Sequence, residues 1–251
     1  MEKQLELINE KITQEIGISL SEKQCDQFYQ YYLLLDEWNK VMNLTAITEF
    51  DQVLSRHFAE SLSLANGYRS LISEESWNES AQKKLRVFDV GTGAGFPGMP
   101  LAIAFPDWQF TLLDSLTKRI TFLKEVVNKL GLTNVEIVNG RAEEFGKNPE
   151  YREKYDFVVS RAVANLAVLS EYCIPFATKG GYFVPYKGDK VIEEEKEAEK
   201  AIKLLGGKLI GNYCYPDDDG IDRYLVFIKK TLDTPKRYPR KNGIPRKTPI
   251  K

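Results

Sequence analysis

The sequence predicts a Rossmann-like α/β fold, a mostly parallel seven-stranded sheet with a terminal antiparallel hairpin, preceded by an N-terminal helical extension. Three observations predict it. From residue 85 onward, short apolar runs alternate with helix-length amphipathic segments, the βαβ rhythm of a parallel sheet. The first run, Val87-Phe88-Asp89-Val90, leads into Gly91-Thr92-Gly93-Ala94-Gly95-Phe96-Pro97-Gly98, and a helix-like stretch follows. A strand, a glycine turn and a helix in that order bring bare backbone close to a nucleotide-like ligand. The last two apolar runs are joined by a short acidic loop, which calls for antiparallel pairing.

The elements follow in order. Residues 1–80 read as helical. Ser21-Glu22-Lys23-Gln24 has the form of a capping box, and Phe28, Tyr31, Leu35, Trp38 and Met42 then recur on one helical face. Asn43-Leu44-Thr45-Ala46-Ile47-Thr48 breaks that helix, and Arg56-His57-Phe58-Ala59-Glu60-Ser61-Leu62 opens another. Residues 73–84 are polar and read as a linker. Strands are expected at 85–90, 110–114, 135–138, 156–160, 181–186, 208–215 and 224–230. Helices are expected at 99–105, 116–130 (stopped by Gly131), 166–176 and 191–205, the last with Glu193-Glu194-Glu195-Lys196 as a solvated face. The division expected is a helical region at 1–80, an α/β domain at 81–232 and a tail at 233–251.

Composition bounds the function. The net charge is −1, yet residues 236–251 hold seven Lys/Arg and no Asp/Glu, leaving −8 on the first 235 residues. A basic tail on an acidic body predicts a polyanionic partner. Pro235, Pro239, Pro245 and Pro249 discourage helix there, so an extended basic arm is expected. No apolar run reaches the roughly 18 residues of a membrane span, and the acidic, amphipathic N-terminus is unlike a signal peptide. The three cysteines, Cys25, Cys173 and Cys214, are far apart and there is a single histidine, His57. Disulfides and a metal site are therefore not expected, and a reducing cytoplasm fits. A monomer without membrane contact is expected.

The glycine loop narrows the ligand. Phe96 stands where a dinucleotide fingerprint places its third glycine, and Asp89 precedes the loop by two residues. This D-x-G-x-G-x-G form resembles motif I of S-adenosylmethionine-dependent methyltransferases and implies their class I fold. Asp114 ends the second strand, where an acid accepts both ribose hydroxyls of either an adenosyl cofactor or NAD; helix capping before Ser115 is the structural alternative. Gly140-Arg141-Ala142-Glu143-Glu144 follows the third strand, where Ala142 can pack on an adenine and Glu143 or backbone amides can read its edge; a plain surface loop is the equal alternative. Ser160-Arg161-Ala162 ends the fourth strand, near the reacting centre of such folds. A guanidinium there needs either ligand or a structural carboxylate; ligand is favoured, and Arg161 is the candidate near the reacting centre. No Asn/Asp-Pro-Pro-Tyr/Phe or Pro-Cys signature occurs, which disfavours adenine amino-group methylation and a cysteine nucleophile. The catalytic residues are otherwise unassigned.

Several segments together carry a closer resemblance. Trp38-Asn39, Asn43-Leu44-Thr45-Ala46-Ile47, Arg56-His57-Phe58, the Asp89–Gly98 loop, Leu112-Leu113-Asp114-Ser115, Lys118-Arg119, Arg141-Ala142-Glu143-Glu144 and Ser160-Arg161-Ala162 run in order along the chain. With them the sequence resembles the glucose-inhibited division protein B family, the ribosomal RNA small-subunit methyltransferase G enzymes. One departure is Glu60, where the family usually has Asp before Ser-Leu. The resemblance implies methyl transfer from S-adenosylmethionine to N7 of one guanine in 16S rRNA, in a decoding-region loop of the small ribosomal subunit, leaving S-adenosylhomocysteine. It also implies cofactor contacts from Gly91, Phe96, Ala142, Glu143 and Arg161; Asp114 is added from its strand position. Guanine N7 has a lone pair and no proton to lose, so no general base is required, and His57 has an ordering, RNA-contact or purely structural role. Two other readings stay open, a non-catalytic RNA-binding assembly factor and an NAD-linked oxidoreductase.

Overall fold

The computed structural model describes residues 1–71, 84–217 and 219–250. The predicted linker at 73–84 falls almost wholly outside them. Helix α1 (Glu2–Ile16) buries Ile8, Ile12 and Ile16, a single stripe at four-residue spacing. Helix α2 (Glu22–Met42) begins at the expected capping box, Ser21 and Gln24 each bonding the other's backbone N–H, and ends at Asn43 in the left-handed region. After α3 (Phe50–Val53), residues Leu54–Ala59 form a π-helical turn that runs into α4 (Glu60–Leu71). That turn carries Arg56 and His57 and lacks a periodicity signature in the sequence; π-turns inside helices recur at functional sites.

Seven strands form one sheet in the order β3-β2-β1-β4-β5-β7-β6. They are β1 (Arg86–Val90), β2 (Gln109–Asp114), β3 (Val135–Asn139), β4 (Tyr155–Arg161), β5 (Ala177–Lys187), β6 (Gly207–Pro216) and β7 (Asp222–Lys230). The first five pair in parallel, while β7 lies antiparallel to both β5 and β6, which is the predicted closing hairpin. Between them lie α5 (Gly98–Ala104), α6 (Thr117–Leu130, stopped by Gly131 at φ 63°), α7 (Ala142–Phe145), α8 (Leu166–Cys173) and α9 (Val191–Leu204).

Successive strand residues point to opposite faces, and the core divides accordingly. Val87, Leu112, Phe157 and Val159 pack with α1, α2, α5 and α6 in one cluster. Phe88, Leu113 and Val158 pack with α8 and α9 in the other. The N-terminal helices thus share a core with the sheet. The central strands are buried along nearly their whole length, as a sheet covered on both faces requires. Cys173 is fully buried in the second cluster, as its helical context suggested.

Two expectations are corrected. The basic tail is not an extended arm. Tyr238 is buried, Arg240 forms a bidentate pair with buried Glu171, and a short helix α10 (Ile244–Lys247) closes the described chain. Arg152, donating to the carbonyls of Gly146, Thr234 and Tyr238, clamps the tail's entry. Proline prevents long helix but does not prevent packing, and a buried carboxylate rewards an arginine that reaches it. The acidic run of α9 is also not wholly solvated. Glu194 pairs with Lys187 at 2.6 Å and accepts the backbone N–H of Leu166, so it ties α9 to β5 and to the start of α8.

Candidate active site

The strand order reverses between β1 and β4, so the loops leaving their C-terminal ends diverge and open a crevice. A cavity of about 200 Å³ lies there. Its floor is Val90 and Gly91 at the end of β1, one side is Leu113, Asp114 and Ser115 at the end of β2, and the far side is Gly140 to Glu143 after β3. Four of the predicted site residues (Gly91, Asp114, Ala142 and Glu143) therefore share one space. Val163, from the stretch that ends the fourth strand, and Tyr172, which no sequence motif marked, complete its wall with Gly243 and Arg246 of the tail.

Glycine is required where backbone approaches this space. Gly91 has φ 73°, and a Cβ there would lie 2.6 Å from Val163 Cγ2. Gly93 has φ 63°, and a Cβ there would meet nothing closer than 4.0 Å, so its side-chain position is open space that a ligand can use. Asp114 holds this geometry. Its Oδ2 accepts the Gly93 N–H at 3.0 Å and a bond from Arg119 at 3.2 Å, and its Oδ1 accepts the Leu116 N–H at 2.9 Å. The carboxylate thus ties the turn before α6 to the glycine loop, while its place on the cavity wall leaves it able to accept ribose hydroxyls.

Asp89, the acid of the glycine motif, is fully buried beneath the loop and does not line the cavity. Its Oδ2 accepts the Gly98 N–H at 2.9 Å, tying β1 to the first residue of α5. Oδ1 lies near the Thr92 hydroxyl without hydrogen-bond geometry to any described residue. Burial pushes the Asp89 carboxyl up to about 7, against the opposing pull of the Gly98 N–H and the nearby Thr92 hydroxyl. From the other face, the Tyr31 hydroxyl of α2 donates to Ala94 O at 2.5 Å, so the N-terminal region grips the loop directly.

Phe96 and Arg161 lie together in a second cluster, outside the cavity lining. The Arg161 guanidinium sits 5.1 Å from the centre of the Phe96 ring, and His57 stacks on the same ring at 4.5 Å. Arg161 pairs with Glu60 at 3.3 Å and donates to Arg56 O at 3.1 Å. The structure thus supplies a carboxylate partner for Arg161. Burial pushes the Glu60 carboxyl up and the Arg161 charge opposes that rise. His57 Nδ1 lies 3.2 Å from both Arg161 Nη2 and Arg56 O, and Nε2 lies 2.7 Å from Thr45 Oγ1. A guanidinium can only donate, so Nδ1 accepts and the ring proton sits on Nε2, donating to Thr45. Burial, followed by the Arg161 charge, lowers His57 to about 3, so the ring is neutral at physiological pH. Ala162, next to Arg161, adopts φ 58°, an uncommon backbone state for a residue with a Cβ and one that recurs at functional sites.

The cavity suits an adenosyl group by its chemistry. It offers two buried carboxylates spaced across an apolar floor and an open glycine turn, with Arg141 and Arg246 also on its lining. Among the described residues there is no His/Cys/Asp/Glu cluster able to hold a metal ion and no helix long and apolar enough to cross a membrane.

Known proteins share this sequence along most of its length. A family model described as rRNA small subunit methyltransferase G, GidB, matches residues 24–212. Proteins named ribosomal RNA small subunit methyltransferase G from Lachnoclostridium phytofermentans and Clostridium novyi are 50% and 48% identical, over 94% of this chain and 93% of each relative. The corresponding protein of Desulforamulus reducens is 50% identical over 94% of both chains. Among solved structures, an S-adenosylmethionine-dependent methyltransferase from Aquifex aeolicus is 21% identical with a TM-score of 0.45, covering 64% of this chain and 90% of that one. With half its residues shared along nearly its full length, this chain belongs to the rRNA small subunit methyltransferase G family.

Proposed function

We propose that this protein transfers a methyl group from S-adenosylmethionine to N7 of one guanine in 16S rRNA, in a decoding-region loop of the small ribosomal subunit. The observation that carries the reading is the cavity shared by the glycine loop, Asp114 and Glu143 in a chain of this family. Gly91, Asp114, Ala142 and Glu143 would hold the cofactor, Asp114 at the ribose and Ala142 with Glu143 at the adenine. Phe96 and Arg161 would contact it from the neighbouring cluster, with Arg161 near the reacting centre. When bound, the cofactor supplies a methyl carbon on a positively charged sulfur. The residues' task is then positional: to hold N7 in line with that carbon and to keep water out. N7 carries no proton, so the reaction needs no base. That agrees with a His57 held by Thr45 and Arg161. A looped-out guanine is cheaply presented, and the exposed Lys236, Arg237, Lys241 and Lys247 are suited to phosphate.

In functional terms we read residues 1–80 as a region that braces the glycine loop, 81–232 as the methyltransferase domain and 233–251 as a packed basic tail. We further read the protein as a monomer working in the cytoplasm, where ribosomes assemble. The test is label transfer. Purified protein, radiolabelled S-adenosylmethionine and either naked 16S rRNA or small subunits should yield label at one guanine N7, read by cleavage at 7-methylguanine. Cofactor binding without label at any guanine N7 would favour the non-catalytic assembly factor instead.

A further inference from the structure

The tail does more than pack. Its Gly243 N–H donates to Glu143 Oε1 at 3.0 Å, and Arg246 of α10 donates to Val163 O at 3.1 Å, so both bond to other residues of the cavity they line. The segment is held on its other side by the Arg240–Glu171 pair and by Pro239 against Gly146. Glu143 is 6% exposed, and among the described residues its second oxygen accepts no hydrogen bond. A buried carboxylate with one oxygen pinned has lost most of its rotational choice; the other oxygen is then a fixed acceptor.

We propose that Gly243 is a positioning residue of the cofactor site: its backbone N–H, delivered by the folded tail, pins Glu143 Oε1 and leaves Oε2 as the acceptor for the amino group of the cofactor's adenine. The inference rests on the cavity being the cofactor site. It assigns the tail a part in adenine selectivity, beyond any contact its outward-facing cations make with RNA. A base with a carbonyl in place of the amino group would set two acceptors against each other, and a site built to hydrogen-bond a group rejects the analogue lacking it.

The experiment compares two probes, S-adenosylhomocysteine and S-inosylhomocysteine, by calorimetry on the full-length protein. Gly243→Pro removes the N–H and cannot adopt the observed φ of 77°. Gly243→Ala keeps the N–H and adds a Cβ with no atom within 4 Å; its φ of 77° strains a residue with a Cβ, so some loss of stability is expected without loss of preference. Wild type and Gly243→Ala are expected to prefer the adenosyl probe by about tenfold or more. Gly243→Pro is expected to lose about tenfold in affinity for it and most of that preference, with its thermal unfolding midpoint as the control for folding. Arg246→Ala, which loosens the same segment without touching residue 243, is expected to show a smaller loss in the same direction. The proposal is overturned if Gly243→Pro keeps the wild-type preference, or if it weakens both probes equally with the preference intact. Wild type binding both probes equally would remove Glu143 as the adenine reader. Wild type and Asp114→Ala both binding neither probe would overturn the cofactor reading of the cavity itself, and with it this inference.

Discussion

Asp89 and Asp114 sit at the ends of neighbouring strands and do opposite work. Asp114 is held by two backbone amides and Arg119 and stands on the cavity wall, whereas Asp89 is sealed beneath the loop, accepting only Gly98 N–H. Burial raises Asp89 to about 7 from an ordinary 3.8, so the folded protein binds this proton more tightly than the unfolded chain. Its stabilising contribution is therefore complete below about pH 4 and is lost as pH rises through 7. His57 has the opposite sign: lowered to about 3, it favours the fold above pH 6.5 and withdraws that support as pH falls. Between pH 7 and 8 the imidazole of the unfolded chain is already mostly neutral, so Asp89 makes the larger contribution of the pair. Thermal unfolding midpoints are expected to decline over that range for the wild type and to be flatter for Asp89→Asn, which keeps an acceptor for Gly98. Equal slopes in the two proteins would show that Asp89 ionises without cost.

Among elements, α2 links the N-terminal region to the chemistry. Its Tyr31 hydroxyl lies where a side chain on Gly95 would have to go, 2.5 Å from the Cβ position, and it satisfies Ala94 O in the turn. Gln24 of the same helix donates to Ile103 O and Ala104 O, closing the C-terminal end of α5. The glycine loop is thus held between a helix that follows it and a helix that precedes it by sixty residues. Tyr31→Phe keeps the ring packing on Phe58, Phe96 and Phe122 and removes only the bond. It is expected to cost about 1–3 kcal/mol through the buried, unpaired carbonyl, read as a lower urea midpoint at unchanged slope, together with weaker binding of S-adenosylhomocysteine. Loss of stability with unaltered ligand affinity would separate the brace from the site.

For the molecule as a whole, the tail makes the chain return to its own centre. Glu171 of α8 is 1% exposed and takes the Arg240 side chain through both oxygens, as well as the Arg240 N–H. Arg240→Ala leaves that carboxylate buried beside a single amide, a change expected to cost about 3–5 kcal/mol. Chemical denaturation measures it. Adding Glu171→Gln to Arg240→Ala is expected to recover part of the loss, because the charge rather than the missing contact sets most of the penalty. No recovery in the double variant would mean that packing of the tail, not its ion pair, carries the stability.

The sequence by itself determined the sheet and the glycine turn, because apolar alternation, a capping box at Ser21 and glycine at 91, 93 and 95 are local properties that each residue states for itself. It also marked Asp114, Ala142 and Glu143, whose places at strand ends follow from element order. What only the tertiary structure decided depends on residues far apart in the chain. Arg161 meets Glu60 across a hundred residues, Tyr31 reaches Ala94, and the tail reaches Glu143 and Glu171. Seven cations and four prolines in a short segment describe an unpaired arm when read alone. The buried carboxylate that folds that arm back lies on another element, and no local pattern carries the free energy of a pair until both partners are brought together.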